Sequence, residues 1–128
     1  MKVLIADDDQ ICTLLQSMML KKSGLSDNPI LFSDGSAVLN YLNDHAEDNE
    51  QYLLFLDIHM PDLTGWEVLD AIQLSSCPKN LQVVLMTASI NRADSNRSLS
   101  YPQVLDYFEK PLTIEMYGQL KLSTDIPH

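Results

Sequence analysis

Two hydrophobic rhythms alternate along the chain. Short, unbroken apolar runs occur at Val3-Leu4-Ile5-Ala6, Ile30-Leu31-Phe32, Leu53-Leu54-Phe55-Leu56 and Val83-Val84-Leu85-Met86, a fifth run over 104–108 is interrupted only by Asp106, and polar residues close each of them. Continuous runs of that length predict strands buried on both faces. The intervening stretches follow a helical period. Ile11, Leu14, Leu15, Met18 and Met19 recur at i, i+3, i+4, i+7 and i+8, predicting an amphipathic helix with Met18 and Met19 as packing residues. Lys21 and Lys22 suit its last turn, and Gly24 its C-cap. A second helix is predicted through Ala37, Val38, Tyr41, Leu42 and His45, followed by a polar loop over 46–51.

After the third run, 58–63 contains Pro61 and Asp62 and is predicted as loop. Thr64 and Glu67 have the spacing of a capping box, opening a helix that buries Val68, Leu69 and Ile72. Trp66 reads as another packing residue. Segment 90–100 has so little apolar surface that a helix there is poorly anchored. A last helix is predicted from Thr113, carrying Ile114, Met116, Tyr117 and Leu120. Five buried strands alternating with helices predict an α/β architecture built on a parallel sheet with both faces covered.

Composition narrows the function. The 128 residues are 45% hydrophobic, enough for a core, and the length suits one domain. With 18 acidic against 8 basic side chains the formal charge is −10, which argues against a nucleic-acid partner. No apolar run reaches the ~18 residues of a membrane span, and the N-terminal run is too short for a signal peptide. Cys12 and Cys77 lack metal or disulfide spacing and read as small apolar fillers, with Cys12 close to the residues considered next. The expectation is a reduced, cytoplasmic, single domain over 1–128.

A parallel α/β sheet binds its ligands outside the carboxyl ends of the strands. Those ends carry Asp7-Asp8-Asp9, Asp57, Thr87 and Lys110. Carboxylates brought that close repel one another and call for a cation. All-oxygen ligands suit Mg²⁺ or Mn²⁺ rather than zinc. One metal, one lysine, one hydroxyl and a nucleophilic carboxylate together fit phosphoryl transfer.

In this arrangement the chain resembles the response regulator receiver domains of two-component signalling, over essentially its whole length. The match rests on Asp7-Asp8, Asp57, Met60-Pro61-Asp62, Gly65, Thr87-Ala88 and Lys110-Pro111, each in order at its strand end. The resemblance implies a doubly wound, flavodoxin-like (βα)5 fold with strand order 2-1-3-4-5. It implies that Asp57 takes a phosphoryl group from a sensor histidine kinase or a histidine phosphotransfer protein, and that a downstream protein reads the result. Asp8, Asp57 and the His59 backbone carbonyl would hold Mg²⁺ (or Mn²⁺) directly, and Asp7 through water. Thr87 and Lys110 would contact the phosphoryl oxygens, Tyr107 would be the switch aromatic, and Lys110-Pro111 a cis peptide. His59 and Ser89 occupy positions that tune acyl-phosphate lifetime in that family. The charged residues by which DNA-binding members dimerise are not apparent around 106–121. The expectation is thus a phosphoacceptor switch without an output domain, not an enzyme, with only self-phosphorylation and self-dephosphorylation chemistry.

Rival readings are concrete. Haloacid-dehalogenase-type phosphatases also open with an apolar strand and Asp-x-Asp, which would make Asp7 a nucleophile and Asp9 its acid–base partner. Against this, the residues after Lys110 supply no final acidic motif, Ile11 stands where Thr or Val is usual, and Asp57 would be idle. Two further rivals are a phosphoryl carrier without conformational output and a receiver-like interaction module without phosphorylation. Asp9, Asp34 and Asp62 read as solvated carboxylates, with Asp34 a turn residue.

Overall fold

The computed structural model describes residues 1–120. Ten elements alternate: β1 (Lys2–Ala6), α1 (Gln10–Ser23), β2 (Ile30–Phe32), α2 (Gly35–Asp44), β3 (Tyr52–Asp57), α3 (Gly65–Leu74), β4 (Leu81–Thr87), α4 (Arg92–Ser98), β5 (Val104–Glu109) and α5 (Ile114–Gln119). The strands form one five-stranded parallel sheet in the order β2-β1-β3-β4-β5, as the resemblance implies. The chain winds both ways from β1.

Strand pleating sorts the core into two layers. Leu4, Leu54, Leu56, Val83 and Leu85 face α2 and α3, where they meet Val38, Leu42, Trp66, Val68 and Leu69. Val3, Ile5, Leu53, Phe55, Val84 and Met86 face the other way, onto Leu20 of α1 and Leu112, Tyr117 and Leu120 around α5. All six residues of β3 are buried, so this strand anchors the sheet. Each fully buried Leu or Phe contributes about 1.5–3 kcal/mol.

Burial departs from the sequence expectation along α1. Ile11, Leu14, Leu15 and Met18 are exposed, and the buried positions are Thr13, Gln16 and Leu20. Met18 is therefore a surface residue, while Met19 packs against the second layer and Trp66 is buried. Asp9 fixes the phase of this helix: its carboxylate accepts the Ile11 and Cys12 amides. Gly24, at φ 78°, closes the helix in the left-handed region that glycine enters without strain.

The other carboxylates read as solvated are also caps. Asp34 accepts the Ala37 amide at the start of α2. Asp62 reaches across from the β3–α3 loop to accept the Gly35 and Ser36 amides and the Ser36 hydroxyl. The predicted capping box of Thr64 and Glu67 is present on α3. In the β4–β5 ladder, Val83 pairs with Val104 but Val84 pairs with Asp106, so β5 carries one extra residue.

Helix α4 contains no large apolar residue and depends on side-chain clasps. The Arg97 guanidinium lies 4.6 Å from the centre of the Trp66 ring. Just after α4, Tyr101 stacks on Trp66 and donates its hydroxyl proton to Asp70 at 2.7 Å.

Candidate functional site

The sheet gathers the polar residues that close its strands. Asp7 follows β1 and Asp57 ends β3, both only 2% exposed, while Asp8 is exposed. Each of these three carboxylates offers an oxygen within 4.8 Å of the others. Lys110, just past β5, crosses to them. Its ammonium lies 3.1 Å from Asp7 Oδ2 and 3.3 Å from Asp57 Oδ2. The peptide between Lys110 and Pro111 is cis, and the Lys110 amide donates to the Thr87 carbonyl at 2.7 Å.

Electrostatics make this a strained arrangement of charge. Two carboxylates ~5 Å apart repel by about 3 kcal/mol at an effective dielectric near 20. Burial, followed by the neighbouring Asp7 charge, pushes the Asp57 carboxyl up to about 6, against the opposing pull of Lys110. Burial acts to lower the Lys110 pKa, but the Asp57 and Asp7 carboxylates outweigh it and hold it above its ordinary value. Three ionised carboxylates and one ammonium leave two negative charges unbalanced. A hard divalent cation with oxygen ligands matches that deficit and that donor set, and one exposed carboxylate leaves room for water ligands.

The remaining residues singled out in the sequence surround this cluster. The His59 amide donates to Asp57 Oδ1 at 3.2 Å, and its side chain is exposed. Thr87 is buried, but its hydroxyl is turned into its own loop, donating to the Ser89 carbonyl at 3.1 Å and accepting the Ser89 amide at 3.3 Å. Ser89 is exposed. Tyr107 is half-buried against the first core layer, and its hydroxyl accepts the Asn91 amide at 3.3 Å. Asp7, Asp8, Asp57 and Lys110 thus meet directly, and Thr87, Ser89 and Tyr107 form an adjoining group along β4 and β5. Asp9 stands apart as the α1 cap.

Glu109 escaped the sequence reading, whereas Gly65 entered it only through the family match and Cys12 only as a neighbour of the site. Glu109 accepts the Ile90 amide at 3.2 Å, tying the β4–α4 loop to β5. Gly65 supports Asp57 from below, and a Cβ there would lie 2.9 Å from both the Asp57 carbonyl oxygen and Ile58 Cα. Cys12 lies against Asp7. Its thiol is pushed up to about 11 by burial and by that carboxylate, which leaves it protonated and unreactive. Among the described residues, no helix is long and apolar enough to cross a membrane.

The chain is similar in sequence and fold to known proteins. The sequence profile of the response regulator receiver domain matches residues 3–119. The probable methanogenesis regulatory protein FilR2 of Methanothrix harundinacea is 29% identical over 115 residues, covering 88% of this chain and 74% of FilR2. The two-component response regulator ARR2 of Arabidopsis thaliana is 26% identical over 115 residues, covering 90% of this chain. This chain spans only 16% of the length of ARR2. A two-component response regulator structure from Cytophaga hutchinsonii superposes with a TM-score of 0.83 at 27% identity, covering 91% of this chain and 90% of that one. With the fold, the acidic cluster and the family profile in agreement over nearly all its length, the chain belongs to the response regulator receiver domains of two-component signalling.

Proposed function

We propose that Asp57 accepts a phosphoryl group from a phosphohistidine, on a histidine kinase or a phosphotransfer protein, and that this changes how the protein binds a downstream target. The observation that carries the reading is the position of Asp57: a buried carboxylate at the end of the central strand, flanked by a lysine and two more carboxylates. In the transfer, an Asp57 oxygen attacks phosphorus, the P–N bond to the imidazole breaks, and the freed ring nitrogen takes up a proton. Lys110 offsets charge on the phosphoryl oxygens from a position it already holds beside Asp57. Asp8, Asp57 and the His59 carbonyl would hold Mg²⁺ or Mn²⁺, with Asp7 acting through water, and the ion would add to the charge neutralisation that Lys110 provides. His59 and Ser89, exposed at the rim, control water's approach and hence the lifetime of the acyl phosphate.

The apolar stripe of α1 supports a docking role for the phosphodonor. Ile11, Leu14, Leu15 and Met18 lie exposed on the helix that starts beside Asp7. Such a patch on an otherwise acidic surface marks a protein contact. The phosphatase reading is weakened because Asp9, its required acid–base, is committed to capping α1.

Acetyl phosphate with Mg²⁺ is expected to add one phosphoryl group, labile to base and hydroxylamine. Intact-mass analysis should show no addition to Asp57→Asn and normal addition to Asp9→Asn. Labelling that persists in Asp57→Asn and disappears in Asp7→Asn would replace this reading with the phosphatase one.

A conformational response is expected to run through Thr87. To donate to a phosphoryl oxygen, its hydroxyl must leave the Ser89 carbonyl, which moves the loop whose Asn91 amide engages Tyr107. The Tyr107 ring is then free to turn, and α4, held by few apolar contacts, to shift. Hydrogen exchange with beryllofluoride, an acyl-phosphate mimic, should alter protection over 88–107. Changes confined to the loops after β1 and β3 would make the protein a phosphoryl carrier without such a switch.

A further inference from the structure

The sequence of α4, Arg92 to Ser98, gives that helix no apolar face. Its one apolar side chain, Ala93, is exposed, and only Ser98 is buried. Against β5 it leaves a cavity of about 180 Å³, walled by Ser95, Ser98 and Leu99 on one side and by 104–107 on the other. A helix of seven residues has little stability of its own in water, so packing must supply it. The packing is on α3. Trp66 and Asp70 stand one turn apart there, opposite Arg97 and Tyr101, which have the same spacing. The Arg97 guanidinium covers the Trp66 ring at 4.6 Å, from an exposed position. Tyr101 stacks on that ring at 5.8 Å and donates to Asp70 at 2.7 Å. Tyr101 is 8% exposed, and its carbonyl accepts the Val104 amide at 3.1 Å, which fixes it to β5. Of the two attachments, the cation on the ring is the weaker.

The opposite end of α4 hangs from residues that the Asp57 chemistry engages. The Ile90 amide donates to Glu109, the Asn91 amide to the Tyr107 hydroxyl, and the Ser89 amide to the Thr87 hydroxyl. We propose that Arg97 on Trp66 is a latch, which holds α4 in the arrangement where Thr87 bonds Ser89 and lets go when Asp57 is phosphorylated. The latch rests on the Asp57 reading and adds to it the contact that sets how readily the switch moves. Drawing the Thr87 hydroxyl away shifts the loop and, with it, the start of α4. A helix of seven residues, about 10 Å long, moves as one piece. Its far end then gives at the weaker attachment, and Tyr101 is the pivot. The guanidinium contact stabilises only the latched arrangement. A phosphoryl mimic that favours the unlatched arrangement binds in proportion to the unlatched fraction. Removing an exposed cation–π contact raises that fraction about two- to fivefold.

Titration with beryllofluoride and Mg²⁺ tests the latch through two readouts. Trp66 is the only tryptophan in the chain, so its emission follows the guanidinium contact directly. Amide NMR shifts over 88–107 follow the loop and α4. In the wild type, saturation should change both. Arg97→Ala should bind beryllofluoride about two- to fivefold more tightly, with Trp66 emission that no longer responds. Before any addition, its amide shifts should already lie partway along the line toward the wild-type bound positions. Arg97→Lys keeps a cation and should fall between the two. Tyr101→Phe keeps the stack and loses the bond to Asp70 in both arrangements, so affinity should change by less than about twofold. Unchanged or weaker binding by Arg97→Ala, wild-type Trp66 emission that ignores saturating beryllofluoride, or equal tightening by Tyr101→Phe would each overturn the latch while leaving Asp57 as the acceptor. A wild type in which neither the emission nor any amide responds would overturn both.

Discussion

Lys110→Ala is expected to destabilise the metal-free protein by about 3 kcal/mol near neutral pH, and to lose most of that effect below about pH 5. The side chain is largely buried and bridges Asp7 and Asp57, so its removal leaves two adjacent carboxylates without a counter-charge. The pH dependence follows from Asp57. Its folded-state pKa is about 6, raised from 3.8, so the folded protein holds the proton more tightly than the unfolded chain. Between those values only the folded state is protonated. Stability of the wild type therefore falls as pH rises from about 4 to about 6, and levels off above. Without Lys110 the opposing pull disappears, so the decline becomes deeper and extends to higher pH. Urea unfolding in chelator across that range should show two curves that nearly meet at the acid end and diverge toward neutrality. Adding Asp57→Asn should close the gap. Parallel curves at every pH would reduce Lys110 to the packing of its carbon stem.

Gly65→Ala should cost about 2–3 kcal/mol and slow phosphoryl transfer to Asp57. Helix propensity argues the other way, favouring alanine over glycine by roughly 1 kcal/mol. The clash wins because both atoms that a Cβ would strike at 2.9 Å, the Asp57 carbonyl oxygen and Ile58 Cα, belong to the backbone. No side chain can rotate to make room. Relief must come from moving the end of β3 or the start of α3, and the Gly65 amide donates to the Ile58 carbonyl at 2.8 Å, so the two are locked together. Thermal melts and acetyl phosphate labelling of this one variant address both effects. A variant as stable and as fast as the wild type would show that the turn is compliant.

The strands and the carboxylate cluster were legible because both follow from one rule. A strand buried on two faces needs an unbroken apolar run, and the residue ending that run is placed at the sheet's edge whatever the loops do. Asp7, Asp57, Thr87 and Lys110 could be located on that basis before their geometry was known. Helix α1 was not legible in the same way. Periodicity says that Ile11, Leu14, Leu15 and Met18 share a face, but not that this face is the one against the sheet. The sheet takes Thr13, Gln16 and Leu20 instead, leaving the more apolar stripe outside. Asp62 shows the other limit. Its partners are at Gly35 and Ser36, and nothing local distinguishes a carboxylate capping a distant helix from one in water. The Thr87–Ser89 hydroxyl bond is of the same kind, since the sequence supplies the group but not its rotamer.

The extra residue in β5 takes up slack before the chain reaches the site. If the same residues ran on regularly from the Val83–Val104 pair, Thr87 would stand opposite Phe108 rather than Glu109. Lys110 would then project about 3.3 Å, one strand residue, farther beyond the sheet edge. Side-chain parity would also invert, placing Asp106 on the face that Tyr107 now shares with Leu85 and Val83. The irregularity thus sets two things at once: which side chains of the edge strand meet the core, and how far the ammonium reaches toward Asp57. It also divides β5 into stretches of unequal tolerance. Before Asp106, a gained or lost residue can be absorbed where the ladder is already out of step. From Asp106 to Lys110 the strand is in register with β4, and one added residue there carries the lysine past the carboxylates it bridges.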